Sequence, residues 1–348
     1  MTDAIRGGGP KPASTNTSAP KPSAPAASKP APSTAWGAKS APAGDFDEDS
    51  MVGRSRIAEA NRRLGGNAVG AAAPVSGGPS AGGPAATAYD VTDDAALAKL
   101  AASANPADRQ VADLMKAARK TYAALLEGGA KLSVIAGDAG NSNQPVLCLV
   151  PKALVANPNQ KFDTQVHYQG MNGTPGTPDP ASGLPAKLGA QLNGPPPKVF
   201  LLPAPVELRG GTFPDWTCVK NTRQTADAAL QAAGLPATGD ADLPLVVSGH
   251  SAGGRALAVA QDRGGLACDR LELQDCLYTV PSGRPDSTFP SAHDAAIAWA
   301  KANPGKALVY IRSKEGGNGS DLNAADLPGG ANFKRVVVQH HYDADLPA

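Results

Sequence analysis

The sequence predicts an α/β domain, a mostly parallel sheet with helices on both faces, behind a long disordered N-terminal tail. Three observations carry this. Short apolar runs alternate with helical stretches in the last 150 residues, and strand and helix in alternation build a parallel sheet covered on both sides. Residues 91–128 carry Leu97, Leu100, Val111, Leu114, Met115, Ala118, Tyr122, Leu125 and Leu126 at i, i+3, i+4 spacings, a helical lead-in. Residues 1–88 are dominated by Ala, Pro, Gly and Ser, a composition that cannot bury enough apolar surface to offset the entropy of ordering.

Within that tail, "DFDEDSMVGRSRIAEANRRLGG" stands apart. Acidic residues precede a basic stretch with Ile57 and Leu64 two helical turns apart, a short helix near 50–65 that is either solvated linker or a docking element for a partner. Small-residue sequence then returns as far as Ala88, and the folded domain is expected over 89–348. It opens with two helices broken near Asn105 and Pro106, the second closed by Gly128 and Gly129.

Eight strand-like runs follow: "KLSVIAG", "PVLCLVPKAL", "DTQVHYQG", "KVFLLPAP", "LPLVVSG", "DRLELQD", "KALVYIRS" and "FKRVVVQ". Three helical stretches, "TCVKNTRQTADAALQAAG", "SAGGRALAVAQDRGG" and "HDAAIAWAKANPG", separate the runs from the fourth to the seventh. The earlier runs show no helix between them and are expected to pair antiparallel at one edge.

A formal net charge of +1 provides no field to draw the chain onto nucleic acid. Cys148, Cys218, Cys268 and Cys276 form neither a CxxC pair nor a zinc spacing and read as buried free thiols; no metal and no cofactor is expected. The N-terminus lacks the apolar core of a secretory signal, and no run of about 18 apolar residues is present to span a bilayer. The default expectation is a cytoplasmic protein with no integral membrane segment; export of a delivered effector by a non-classical route, or attachment to a larger particle, is the alternative reading of the tail.

The chemistry is expected at "GHSAGG". GxSxG alone is a weak pattern, but here it follows the apolar run Leu245, Val246, Val247 and precedes a helical segment with Leu257 and Val259, the strand–turn–helix setting of a nucleophile elbow. Gly249 and Gly253 remove side chains that would clash in so tight a turn. Ser251 then stands at the carboxyl edge of the sheet, and the Ala252 N–H is placed to bind an oxyanion. The bland alternative is a glycine-rich turn around a phosphate, although the glycine patterns of phosphate cradles are missing.

A nucleophilic serine needs a base and an orienting carboxylate. Three histidines follow Ser251. His293 reads as a helix-start residue beside Asp294, whereas His340 and His341 come directly after the last strand run; His341 is preferred, with His340 the alternative. For the acid, Asp275 at the end of "DRLELQD" is preferred over Glu315, and Asp321 lies further along that second loop. The second oxyanion donor is expected from the backbone of Gln169, Gly170 or Met171 in "HYQGM". His167, Trp216 and His250 are the candidate substrate-binding residues, with support of the oxyanion loop the competing role of His167 and a packed indole that of Trp216. Asp215 reads either as a cleft residue or as a helix cap.

Together "HYQGM", "GHSAGG" and a C-terminal strand ending in histidine resemble serine hydrolases of the α/β-hydrolase superfamily over roughly Lys131 to Ala348. The resemblance implies a mostly parallel eight-stranded sheet, Ser251 as nucleophile, His341 or His340 as base, Asp275 or Glu315 as acid, and an oxyanion hole near Gln169, Gly170 and Ala252. The sequence departs from the family in two places: "HYQG" replaces the lipase HGGG run, and Asp275 follows the sixth strand rather than the seventh. The expected reaction is hydrolysis of an acyl ester, less readily an amide, through an acyl-enzyme. The segments between strands are short for a helical cap, so the expected substrate is exposed or bulky. A non-catalytic binding or structural protein on the same scaffold is the alternative.

Overall fold

The computed structural model describes residues 86–137, 140–238, 244–277, 291–314 and 321–347. The expected tail up to residue 85, with its short helix near 50–65, lies outside them, as does Glu315.

In chain order the strands and helices are β1 (Thr87–Asp90), α1 (Asp94–Ala101), α2 (Pro106–Thr121), α3 (Ala123–Glu127), β2 (Lys131–Ala136), β3 (Val146–Val150), α4 (Lys152–Ala156) and β4 (Asp163–Tyr168). There follow α5 (Leu184–Leu192), β5 (Lys198–Pro203), β6 (Leu208–Arg209), β7 (Phe213–Pro214), α6 (Thr222–Ala232) and β8 (Leu245–His250). The last are α7 (Gly254–Asp262), β9 (Arg270–Gln274), α8 (Ala292–Ala302), β10 (Ala307–Ser313) and β11 (Asn332–Val338).

Caps fix the helix starts where the sequence places oxygen-bearing side chains. Asp93 accepts from the backbone N–H of Ala95 and Ala96, Asn105 from Ala107, Asn221 from Gln224 and Ser291 from Asp294. Each such cap satisfies a donor that the first turn leaves without a partner. Ser291 starts α8 at Ala292, one residue before His293.

Among the described residues, nine strands form one sheet in the order β1-β2-β3-β5-β4-β8-β9-β10-β11. From β5 to β11 every neighbouring pair is parallel; β1, β2 and β3 join antiparallel at one edge, β3 meeting β5 antiparallel. Alternate strand residues therefore supply two cores. Val146, Cys148, Val199, Leu201, Val166, Val247 and Leu271 face α6, α7 and α8, whereas Leu132, Val134, Leu147, Leu149, Phe200 and Leu202 face α1, α2 and α5.

The structure differs from the sequence expectations in several elements. The antiparallel edge excludes the run "DTQVHYQG", because α5 bridges β4 to β5 and makes that pair parallel. The helix was hidden in "LPAKLGAQL", where a proline at the first turn and an internal glycine mask the pattern set by Leu184, Leu188 and Leu192. "PKAL" leaves β3 as the short helix α4. The lead-in has three helical pieces rather than two, because the chain breaks again at Tyr122, whose buried ring donates to the Pro175 carbonyl at 2.8 Å. β1 begins at Thr87, inside the stretch expected to be tail, and is held by backbone pairing to β2 that its composition does not advertise. The sheet accordingly has one strand more than eight. Among the described residues no helix is long and apolar enough to cross a membrane, and all four cysteines are buried free thiols.

Candidate active site

The turn after β8 is built by steric necessity. A Cβ on Gly249 would lie 2.8 Å from the Gly253 carbonyl oxygen, and one on Gly253 would lie 2.1 Å from that of Tyr168, at the end of β4. Between them Ser251 adopts φ +48°, a left-handed backbone that an L residue holds only when its surroundings enforce it. Residues 251–253 form a single 3-10 turn that leads directly into α7. Ser251 is thus lifted to the carboxyl edge of the sheet, at the positive end of a helix.

The segment after β4 crosses directly above this turn. A Cβ on Gly170 would come within 2.9 Å of the Ser251 Cβ, so only glycine allows the approach. Gln169, Gly170 and Met171 line a cavity of about 60 Å³ that also takes in Gly173, His250, Ser251, His341 and Tyr342. Asp179 and Asp345 complete its polar rim and floor.

His341 follows β11 at the start of a 3-10 turn, and its Nδ1 lies 2.6 Å from Asp275 Oδ2. Ser313, the last residue of β10, donates its hydroxyl to the same oxygen at 2.7 Å, while the Asp275 N–H donates to the Ile311 carbonyl at 2.7 Å. Burial pushes the Asp275 carboxyl up, but the hydrogen bonds from His341 and Ser313 outweigh it and hold the group below the usual carboxylate range. An ionised Asp275 fixes the proton of His341 on Nδ1 and leaves Nε2 as the basic nitrogen. The side chain of His341 is 29% exposed, consistent with its place in the wall of an open cleft.

Of the residues singled out from sequence, the structure brings Ser251, His341, Gln169, Gly170, Met171 and His250 around one cleft, with Asp275 hydrogen-bonded to His341. Ala252 sits in the same 3-10 turn, next to Ser251. His340 does not join them: it is exposed, and its backbone N–H donates to Asp343 in capping the turn. Asp321 pairs with Arg312 and Arg335 on the sheet edge. Asp215 is tied to Arg209 and caps the Thr217 N–H.

His167 and Trp216 require correction as substrate-binding candidates. Trp216 is buried in the core, edge-on to Tyr168 at 5.2 Å between ring centroids. His167 is fully buried: its Nδ1 lies 3.0 Å from Ser248 Oγ, and its Nε2 stands 3.2 Å from Asp345 Oδ1, close but off the hydrogen-bond axis. Neither ring reaches the cleft.

Sequence reasoning missed Asp345. This buried carboxylate stands between His167 and His250, whose Nδ1 is 3.9 Å away. Burial pushes it up, yet His250, His167 and Lys187 together hold it below the usual range. Lys187 from α5 donates to the backbone carbonyls of Tyr342 and Asp345, Gln191 donates to those of Leu346 and Pro347, and Gln274 accepts the Leu346 N–H. These bonds seat the C-terminal segment on a sheet face carrying Gln165, Ser248, Glu272 and Gln274, and so fix the backbone from which His341 projects. Nothing in "YDADLPA" signals burial; two acids near a chain end read as solvated.

His250 is part of the same arrangement. Its ring packs against that of His341 with centroids 4.6 Å apart, and Nε2 lies 3.2 Å from the His341 carbonyl, which can only accept, so Nε2 carries the proton. Burial lowers its pKa to about 4, against the pull of Asp345. Unfolded, the same imidazole titrates near 6.5. Between those values the unfolded chain binds the extra proton, so stability falls as pH falls, by roughly 3 kcal/mol across the window. Urea unfolding from pH 7 to pH 4 is expected to show this loss, reduced in His250→Gln; equal losses in the two proteins would refute the assignment. Asp275 and Asp345, both depressed, add to acid instability in a lower window, below the ordinary carboxylate value.

The strand order, the antiparallel second strand of the main sheet and the elbow after β8 define an α/β-hydrolase type of fold. No protein-family model and no curated protein matches the chain. Solved structures resembling it include an S-formylglutathione hydrolase from Agrobacterium tumefaciens, at 11% identity and a TM-score of 0.38, covering 62% of this chain and 91% of that one. A ferulic acid esterase is similar at 12% identity and a TM-score of 0.39, covering 62% and 92%. A dienelactone hydrolase from Anabaena variabilis is similar at 13% identity and a TM-score of 0.36, covering 62% and 90%. At these values the likenesses carry no argument about chemistry, which rests on the residues themselves.

Proposed function

We propose that the protein is a serine hydrolase that cleaves carboxylic esters, less readily amides, through an acyl-enzyme. The observation that carries this reading is one cleft holding both a serine at φ +48° on a glycine-framed elbow and a histidine bonded at 2.6 Å to a buried carboxylate. Ser251 Oγ attacks the ester carbonyl, and His341 Nε2 takes its proton. His341 then returns that proton to the leaving oxygen, and water repeats the sequence on the acyl-enzyme. Asp275 holds the imidazole in the required tautomer and stabilises the imidazolium. The developing oxyanion is met by the Ala252 N–H and by a backbone N–H of the segment Gln169, Gly170, Met171, at the head of α7. None of these steps draws on a metal or cofactor.

The test is labelling with a fluorophosphonate, followed by peptide mass spectrometry. One adduct on Ser251, absent from Ser251→Ala, is the expected result. An unlabelled, demonstrably folded protein would overturn the reading.

A further inference from the structure

The cavity around Ser251 is small, about 60 Å³, and open to solvent, so a long substrate extends beyond it onto the neighbouring surface. What it would lie against is unusual for this surface. Five large apolar side chains are strongly exposed among the described residues, and three of them, Met171 at 38%, Val206 at 42% and Phe213 at 57%, sit on two neighbouring segments. Met171 lines the cavity itself. Val206 and Phe213 belong to the hairpin of β6 and β7, and β7 lies against the Ser251–Gly253 turn.

One hydrogen bond joins the two segments. The Asn172 N–H donates to the Thr212 carbonyl at 2.8 Å, so Met171 and Phe213 each adjoin a residue of this bond. The hairpin's base is closed by Val206 and Asp215 through their backbones, and Arg209 pairs with Asp215 across it. Nothing lies within 4 Å of where a Cβ would stand on Gly210 or Gly211, so the tip projects free of other packing. Exposed apolar side chains on two hydrogen-bonded segments, one of them lining a cleft, suit a ligand surface.

We propose that Met171 and Phe213 form the binding rim for the acyl group of the substrate, and that this group is an extended alkyl or aryl chain rather than acetyl. The proposal rests on the esterase reading above. The side of the cleft follows from the chemistry: the leaving oxygen must face His341, so the group that stays on Ser251 is assigned to the part of the lining that Met171 supplies from another segment. Because Asn172 adjoins the backbone that receives the oxyanion, binding on the rim also braces that backbone, and chain length is expected to raise kcat as well as lower KM.

The experiment uses the full chain and p-nitrophenyl esters from acetate to octanoate, with wild type, Phe213→Ser and Phe213→Leu. Wild type is expected to gain about tenfold or more in kcat/KM from acetate to octanoate, Phe213→Leu to keep most of that gain and Phe213→Ser to lose most of it. Phe213 is exposed, so the serine variant is expected to fold. A chain-length profile that is flat in wild type, or unchanged by Phe213→Ser, overturns the rim while leaving the Ser251 chemistry intact. Loss of fluorophosphonate labelling at Ser251 overturns the esterase reading, and the rim with it.

Discussion

Replacing Ser251 or His341 by alanine is expected to lower kcat/KM toward activated esters by about 10⁴-fold or more, with the fold retained. In the proposed mechanism the two side chains act as one unit: without Ser251 there is no acyl-enzyme, and without His341 the hydroxyl keeps its proton at neutral pH. The double variant is therefore expected to be no worse than either single one. Asp275→Asn preserves size but can donate rather than only accept, so it turns the imidazole to the unproductive tautomer, with an expected loss of similar order. His340→Ala tests the choice between adjacent histidines. That side chain is exposed and away from Asp275, and its loss is expected to change kcat/KM by less than about threefold. Ester kinetics beside far-UV circular dichroism decide the matter, and a larger loss in His340→Ala than in His341→Ala would reject the assignment.

Gly253→Ala is expected to be the most destabilising single-carbon addition near the site. The new Cβ would stand 2.1 Å from the Tyr168 carbonyl oxygen and 2.9 Å from that of Gln169, both backbone atoms at the end of a central strand. Neither side can give without separating β4 from the elbow, so a loss of about 4 kcal/mol or more, or no soluble protein, is expected. Gly264→Ala is the comparison. Gly253 itself has an ordinary helical φ of −63°, whereas Gly264 has a positive φ, +66°, with nothing within 4 Å of its Cβ position, so only the backbone cost of about 1 kcal/mol is expected there. Urea midpoints for the pair separate close approach from backbone strain; equal losses would show that the elbow tolerates the carbon.

The sheet was readable where strand and helix each bury a regular face. Leu245 to Val247 form a continuous apolar run before the turn, and Leu257 and Val259 lie in a helical stretch after it, so β8 and α7 could be placed from residue types alone. α5 and the strand β1 were not, because the first is broken by Pro185 and Gly189 and the second is four residues long and held by backbone pairing rather than by side chains. Local pattern reports a buried face and is silent about a hydrogen-bonded edge.

The site divides in the same way. The sequence by itself pointed to the turn, because the apolar run before Ser251, the glycines beside it and the helical stretch after it lie within one short segment; the close approach that requires Gly253 comes from the end of β4. The sequence also narrowed the candidate base to two adjacent histidines and the candidate acid to Asp275 or Glu315, each following a strand run. Only the tertiary structure decided that His341 rather than His340 meets Asp275, since that depends on where β11 ends at Val338 and how the following turn rotates. The same holds for His167 and Asp345, which lie 178 positions apart and become neighbours only when the C-terminal segment is seated across β4, β8 and β9. A charge's burial and its partner are properties of packing between distant segments, and no residue type or spacing along the chain encodes them directly.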